Sequence, residues 1–271
     1  MPRRSRIDTT GALHHIMVRG IEKGTIFRND SDRDEFLRRF GKILQDTKTP
    51  CYAWALIPNH FHLLLRTGNM PISTIMGRLL TGYALWFNRT HRRHGHLFQN
   101  RFKSILCQED TYLLELVRYI HLNPIRAKLV KDVDELSQYP YCGHGALMGK
   151  FKNHWQDTEW VLGMFRKKLG EARRSYKNFV VAGISKGKRQ DLTGGGLVRS
   201  AGGWEGVKTL REEGVYQKND DRILGDGDFV ERVLSSAEEA MEKRYSSQFI
   251  RQPGTENRRE QGGVFSRNLI T

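Results

Sequence analysis

The sequence predicts an α+β fold: a ferredoxin-like split βαβ antiparallel sheet with helices on one face, followed by a mainly helical C-terminal extension. Three observations predict it. Apolar periodicity is strong up to about residue 145 and runs strand, helix, strand, strand, helix, strand. The segment HFHLLLR at 60–66 opens with alternating polar and apolar side chains, as a half-buried strand with a polar working face does. Beyond residue 145 the chain turns basic and its patterns become helical.

The elements follow in order. Residues 14–19 (HHIMVR) read as a strand that ends at Gly20. A helix follows with Phe36, Leu37, Phe40, Ile43 and Leu44 on one stripe, and Ser31 and Asp34 have the spacing of a capping box at its start. CYAWALI at 51–57 is a strand of large apolar residues. Pro58-Asn59 separates it from 60–66, so the two strands are expected to be antiparallel hairpin neighbours. After Pro71, the residues Ile72, Ile75, Met76, Leu79, Leu80, Tyr83, Trp86 and Phe87 fall at helical spacing and mark a core-facing stripe. Leu97–Leu106 is the next candidate strand. Asp110 is placed to cap a third helix reaching about Asn123, where Pro124 disfavours simple continuation.

This gives an expected domain at 1–145, a basic and mainly helical region at 146–245, and a polar tail at 246–271 expected to be disordered. Helical patterns in the second region surround Trp155–Leu169 and Phe229–Met241. The glycines at 194–196 and 202–203 lack phosphate-loop spacing and read as turns or flexible connection. No internal repeat stands out.

The 271 residues carry 45 Lys+Arg against 30 Asp+Glu, a formal net charge of +15. Such an excess favours a polyanionic partner, nucleic acid or an anionic membrane surface. The membrane reading weakens, because mean hydropathy is -0.59 and no apolar run approaches the ~20 residues of a spanning helix. The N-terminus lacks the apolar segment of a secretory signal. Cys51, Cys107 and Cys142 are too scattered for a disulfide framework, so a reduced, cytoplasmic protein is expected. Part of the charge lies at Arg89–His96, and part at 150–190, which holds 11 Lys+Arg against 3 Asp+Glu. Trp155 and Trp160 in the latter segment are suited to stacking unpaired bases or to docking the C-terminal helices, with docking preferred for Trp160.

The strongest local chemical signal is His60-Phe61-His62. Alternation along a strand projects His60 and His62 from one side, about 7 Å apart along the backbone, where two imidazoles can hold one divalent metal. Two strand histidines without a metal are commoner. Tyr112, Leu116, Tyr119 and Asn123 share one face of the third helix. A tyrosine hydroxyl there can attack a phosphodiester, and an amide oxygen one turn away can join a metal's ligand set; a plain amphipathic aromatic remains the alternative for Tyr119. With two imidazoles and oxygen donors, Mg²⁺ or Mn²⁺ are compatible. Arg101 and Lys103, on either side of Phe102, are placed to guide DNA backbone or to form a solvated face. His15, Met17 and Arg19 share a face of the first strand, where Arg19 can reach a phosphate or form a salt bridge. Arg89, Arg92 and Arg93 are candidate phosphate contacts. His121 points about 200° from Tyr119 around the helix and takes no catalytic role. Tyr112 is the reserve nucleophile.

Residues 13–130 resemble the HUH single-tyrosine transposases, specifically the REP-associated tyrosine transposases and their insertion-sequence-200-like relatives. The matching segments are LHHIMVRGIEKGTIFRND (13–30), YAWALIPNHFHLLLR (52–66), GHLFQNRFKS (95–104) and YLLELVRYIHLNPIRAKLV (112–130). Weaker similarity extends through 175–210 and 223–234. The resemblance implies the HUH endonuclease fold, with Tyr119 as nucleophile and His60, His62 and Asn123 as ligands of Mg²⁺ or Mn²⁺. It implies cutting and rejoining of single-stranded or hairpin DNA through a 5′-phosphotyrosine, with no nucleotide cofactor, in a monomer or homodimer. A helix-turn-helix module, frequent in such relatives, is not recognisable before Thr271, and a truncated chain is one expectation. The rival readings are a relaxase or replication initiator, a domesticated binder of hairpin repeats that no longer cuts, and an RNA-binding module.

Overall fold

In a computed structural model, residues 7–187, 189–196, 200–201, 205–206, 208–209 and 219–249 are described. Five strands form one sheet: β1 (Leu13–Arg19), β2 (Cys51–Ile57), β3 (His60–Arg66), β4 (Lys103–Cys107) and β5 (Ile223–Leu224), in the order β2-β3-β1-β4-β5. The first four pair antiparallel, and β5 adds a parallel edge beside β4. Ile57 pairs with His60, so Pro58 and Asn59 alone turn the β2–β3 hairpin.

Alternation divides each strand between two cores. Ile16, Val18, Trp54, Leu56, Phe61, Leu63 and Leu65 face α1 (Asp30–Thr47) and α2 (Ile72–Thr90). That core is dry and aromatic. Phe36 packs against Phe61 with ring centroids 4.7 Å apart and edge-on to Tyr83 at 5.2 Å. α1 starts two residues earlier than its expected capping box at Ser31. Asn29 is the cap, its side chain accepting from Asp32 N, because its extended backbone aims the amide oxygen at the orphan N–H groups.

The two helices of the split βαβ unit thus share one face, and the third lies on the other. α3 (Glu109–His121) buries Leu113, Leu116, Val117 and Ile120 against Leu13, Ala53, Ala55, Leu64 and Ile105. Asp110 does not cap it. The helix begins at Glu109, after Gln108, with no side-chain cap. The expected strand at 97–106 shortens to β4. Leu97 and Phe102 are buried as an apolar strand would be, but Asn100 sits at φ 59°, and a left-handed residue breaks an extended run.

Beyond α3 the chain continues over the same face of the sheet. The short helices α4 (Asn123–Arg126), α5 (Val133–Gln138), α6 (His144–Leu147) and α7 (Thr158–Gly163) precede α8 (Leu169–Val181). Within the stretch Trp155–Leu169 expected to be helical, only α7 forms before α8 starts at Leu169. Asp157 caps α7 by accepting from Trp160 N, and Trp155 precedes it. Trp155 docks against Phe40 and Trp54 with centroids 5.1 and 5.3 Å away. Trp160, for which docking was expected, is instead 45% exposed and lies over the Arg66 guanidinium at 4.7 Å. The Tyr176 hydroxyl of α8 bridges His121 Nδ1 of α3 at 2.7 Å and His144 Nδ1 of α6 at 2.8 Å. Residues through Ala237 form one compact unit, and a last helix, α9, spans Gly227–Phe249.

The glycine-rich stretch is partly ordered by close contact. Gly195 and Gly196 donate to the carbonyls of Asp221 and Ile223 alongside β5, and a Cβ on Gly195 would meet Ile223 O at 2.2 Å. Gly202, Gly203 and the expected tail after Phe249 lie outside the described residues.

Candidate active site

β1 and β3 lie side by side with Arg19 opposite His60 and Met17 opposite His62. His15, Met17, Arg19, His60 and His62 therefore project from the α3 face, while Phe61, Leu63 and Leu65 anchor β3 in the opposite core. The His60 and His62 ring centroids are 5.2 Å apart. Each is oriented by a neighbour. His60 Nδ1 lies 2.7 Å from Asn59 Oδ1, and Asn59 Nδ2 donates to Lys23 O. His62 Nδ1 lies 3.0 Å from His15 Nε2, the two rings stacking with centroids 5.3 Å apart.

The end of α3 supplies the facing wall. The Tyr119 ring is 9% exposed and meets His62 and His15 edge-on, each 5.8 Å away by centroid. Asn123 opens α4, where Pro124 is tolerated in a first helical turn. Its Nδ2 donates back to the Tyr119 and Ile120 carbonyls at 3.0 and 3.2 Å. That leaves Oδ1 as the amide's lone-pair donor. The Arg126 guanidinium sits 5.1 Å from the Tyr119 ring and also donates to the Tyr119 carbonyl at 3.1 Å.

His60, His62, Tyr119 and Asn123 line one cleft of about 550 Å³ together with Arg19, Arg101, Lys103 and Thr193. Burial, reinforced by Arg19, lowers the His60 pKa to about 4. Burial pushes His62 well below its usual value, helped by His15 and His60. Both imidazoles are thus neutral at neutral pH, the state that donates a lone pair. Among the described residues no three His, Cys, Asp or Glu side chains converge as a metal site. The donor set available is two neutral imidazoles and the Asn123 amide oxygen, which fits a divalent cation completed by phosphate oxygens.

Of the basic candidates, the cleft gathers Arg19, Arg101 and Lys103. Lys103 Nζ donates to Thr193 O at 2.6 Å. Arg89, Arg92 and Arg93 lie at the end of α2, and Arg93 lines a separate cleft with Arg28. His91 of that stretch bonds Asp32 at 2.8 Å. Tyr112 lines another cleft, its hydroxyl donating to Ser200 O at 3.2 Å.

Four positions at or behind this site received no role from the sequence. Arg126 was findable, since it lies seven residues after Tyr119, the same spacing that links Tyr112 to Tyr119. His15 was half-visible through its shared strand face with Arg19. Leu192 and Thr193 gave no signal, because a backbone carbonyl delivered from more than 70 residues beyond Tyr119 leaves no trace in local pattern.

Residues 9–123 match the family model for IS200-like transposases. Their match ends on Asn123, so Arg126, Leu192 and Thr193 lie beyond it. No curated protein matches the chain. Solved structures similar to it include the following two. One is a REP-associated tyrosine transposase bound to a REP hairpin, 19% identical, covering 57% of this chain and 91% of that one at a TM-score of 0.46. The other is a transposase from Deinococcus radiodurans, 16% identical, covering 44% of this chain and 95% of that one at a TM-score of 0.32. Among the described residues no helix is long and apolar enough to cross a membrane.

Proposed function

We propose that the chain cuts and rejoins single-stranded or hairpin DNA through a covalent 5′-phosphotyrosine on Tyr119. The observation that carries this reading is the placement of the Tyr119 ring 5.8 Å from His62 in a cleft that also holds His60, Asn123, Arg19, Arg101 and Lys103. In the reaction, Tyr119 Oη forms a bond to phosphorus as the bond from phosphorus to the 3′-oxygen breaks. The phenol loses a proton and the departing 3′-oxygen gains one, so no cofactor is consumed. Rejoining is the reverse, with another 3′-OH displacing Tyr119.

Arg19, Arg101 and Lys103 supply positive charge along the cleft for the DNA backbone. Arg126 holds its charge beside the Tyr119 ring, where negative charge on the phosphoryl oxygens grows in the transition state. His60, His62 and Asn123 would hold Mg²⁺ or Mn²⁺, which polarises and orients the scissile phosphate when bound. Asn123 ties its own position to the Tyr119 carbonyl, so nucleophile and ligand keep a fixed separation.

The test is incubation of end-labelled hairpin DNA carrying single-stranded flanks with Mn²⁺ or Mg²⁺, followed by denaturing electrophoresis. The expected result is a protein–DNA adduct that Tyr119→Phe abolishes while binding persists. An adduct that survives in Tyr119→Phe would overturn the assignment. Tight binding with no adduct under either metal would identify the chain as a binder that does not cut.

A further inference from the structure

His15 is wholly buried behind His62 and belongs to no step described above. Its two ring nitrogens are both engaged. Nδ1 lies 3.1 Å from the Leu192 carbonyl, in the 3-10 turn Gln190–Thr193, and Nε2 lies 3.0 Å from His62 Nδ1. A carbonyl oxygen only accepts, so the His15 Nδ1 must carry the hydrogen. A second hydrogen on Nε2 would make a buried imidazolium close to Lys103, which is costly. His15 Nε2 is therefore an acceptor, and His62 Nδ1 must be the donor to it. This leaves His62 with its lone pair on Nε2.

We propose that His15 is a positioning residue for the cleft: anchored by the Leu192 carbonyl, it fixes His62 as the Nδ1–H tautomer and presents the Nε2 lone pair for a metal ion. The relay runs from a backbone carbonyl through one imidazole to the next, as outer partners of metal-binding histidines do. His60 has the same form by a shorter route, its Nδ1–H donating to Asn59 Oδ1. The two imidazoles thereby present the same nitrogen. A consequence is that the C-terminal region takes part in the site. The turn holding Leu192 is pinned to the cleft a second time, through Thr193 O and Lys103 Nζ, and its continuation runs along β5 through Gly195 and Gly196. The IS200-like segment at 9–123 contains His15 and His62 but not the carbonyl that sets their hydrogens.

This inference rests on the metal reading above for its purpose, but its test does not depend on DNA cleavage. The metal-free full chain, labelled with ¹⁵N in its histidine rings, is examined by long-range ¹H–¹⁵N correlation at pH 7.5, with His62 assigned by its loss in His62→Gln. The expected spectrum shows His62 with hydrogen on Nδ1 and none on Nε2. His62 carrying hydrogen on Nε2 in the unaltered chain would overturn the proposal without any variant of His15 having to fold. In His15→Leu, which keeps the volume and removes both ring nitrogens, His62 is expected to lose its single tautomer. Mn²⁺ affinity, read by electron paramagnetic resonance, is expected to fall about 10–100-fold. His15→Gln, whose amide can both accept from His62 and donate to Leu192, should recover most of that loss. An unchanged His62 tautomer and Mn²⁺ affinity in His15→Leu would overturn the positioning role. If the unaltered chain binds no Mn²⁺ yet His62 is Nδ1–H and loses that form in His15→Leu, the metal reading fails and the His15 relay stands.

Discussion

The two faces of one sheet are built on different terms. The face under α1 and α2 is closed mainly by aromatic and aliphatic side chains, such as Phe36, Phe40, Phe61 and Tyr83. The face under α3 carries His15, His62, Tyr119 and Asn123 in its burial zone, each held by a hydrogen bond or a ring contact. In β3 strict alternation assigns each residue to one face or the other. Phe61 therefore steadies β3 from beneath while His60 and His62 work above, and the dry face holds the geometry that the polar face uses.

The sharpest test of this division is to change each face and read both stability and chemistry. Tyr119→Phe should abolish adduct formation, a loss of at least about 10³-fold, while hairpin binding by gel shift survives. Phe36→Ala, on the other face, should cost about 3–5 kcal/mol in urea unfolding but leave adduct yield per folded molecule unchanged. A large loss of chemistry per folded molecule in that variant would break the division.

Acid should attack the fold through its buried histidines. Burial lowers His14 and His144 to about 4, whereas both take up a proton near 6.5 when unfolded. Their contribution is present above pH 6.5 and is lost as pH falls toward 4. Each should withdraw ~2 kcal/mol from unfolding free energy by pH 5. Urea midpoints at pH 7.5 and 5.0 measure the sum, and His144→Gln should remove its own share. Asn29→Ala, which removes the α1 cap on the dry face, should cost about 1 kcal/mol by the same assay.

The smallest effects concern charge. Arg101→Ala in the cleft should lower the slope of log affinity against log salt by about 1, and Arg93→Ala at the end of α2 should leave it unchanged. Equal effects from the two arginines would mean that the DNA path also crosses the far end of α2.

Much of the site was legible because it is periodic. Residues two apart on a strand and four apart on a helix share a face by covalent geometry, which is enough to pair His60 with His62 and Tyr119 with Asn123. The stretch at 97–102 was misread as strand because its apolar residues are buried like a strand's, while the left-handed turn at Asn100 carries no pattern of its own. Docking was expected for Trp160, yet Trp155, left open by the sequence, is the one that docks, because docking depends on which partner surface arrives, here Phe40 and Trp54.

By itself the sequence determined the sheet's first four strands, its two helical stripes and the face shared by His60 and His62, since each of these is a local periodicity. Only the tertiary structure decided that α3 covers the histidine face, that β5 joins in parallel from more than a hundred residues away, and that the Leu192 carbonyl reaches His15. Those contacts depend on where distant backbone comes to rest. A carbonyl is identical in every residue, so the sequence has no letter with which to announce it.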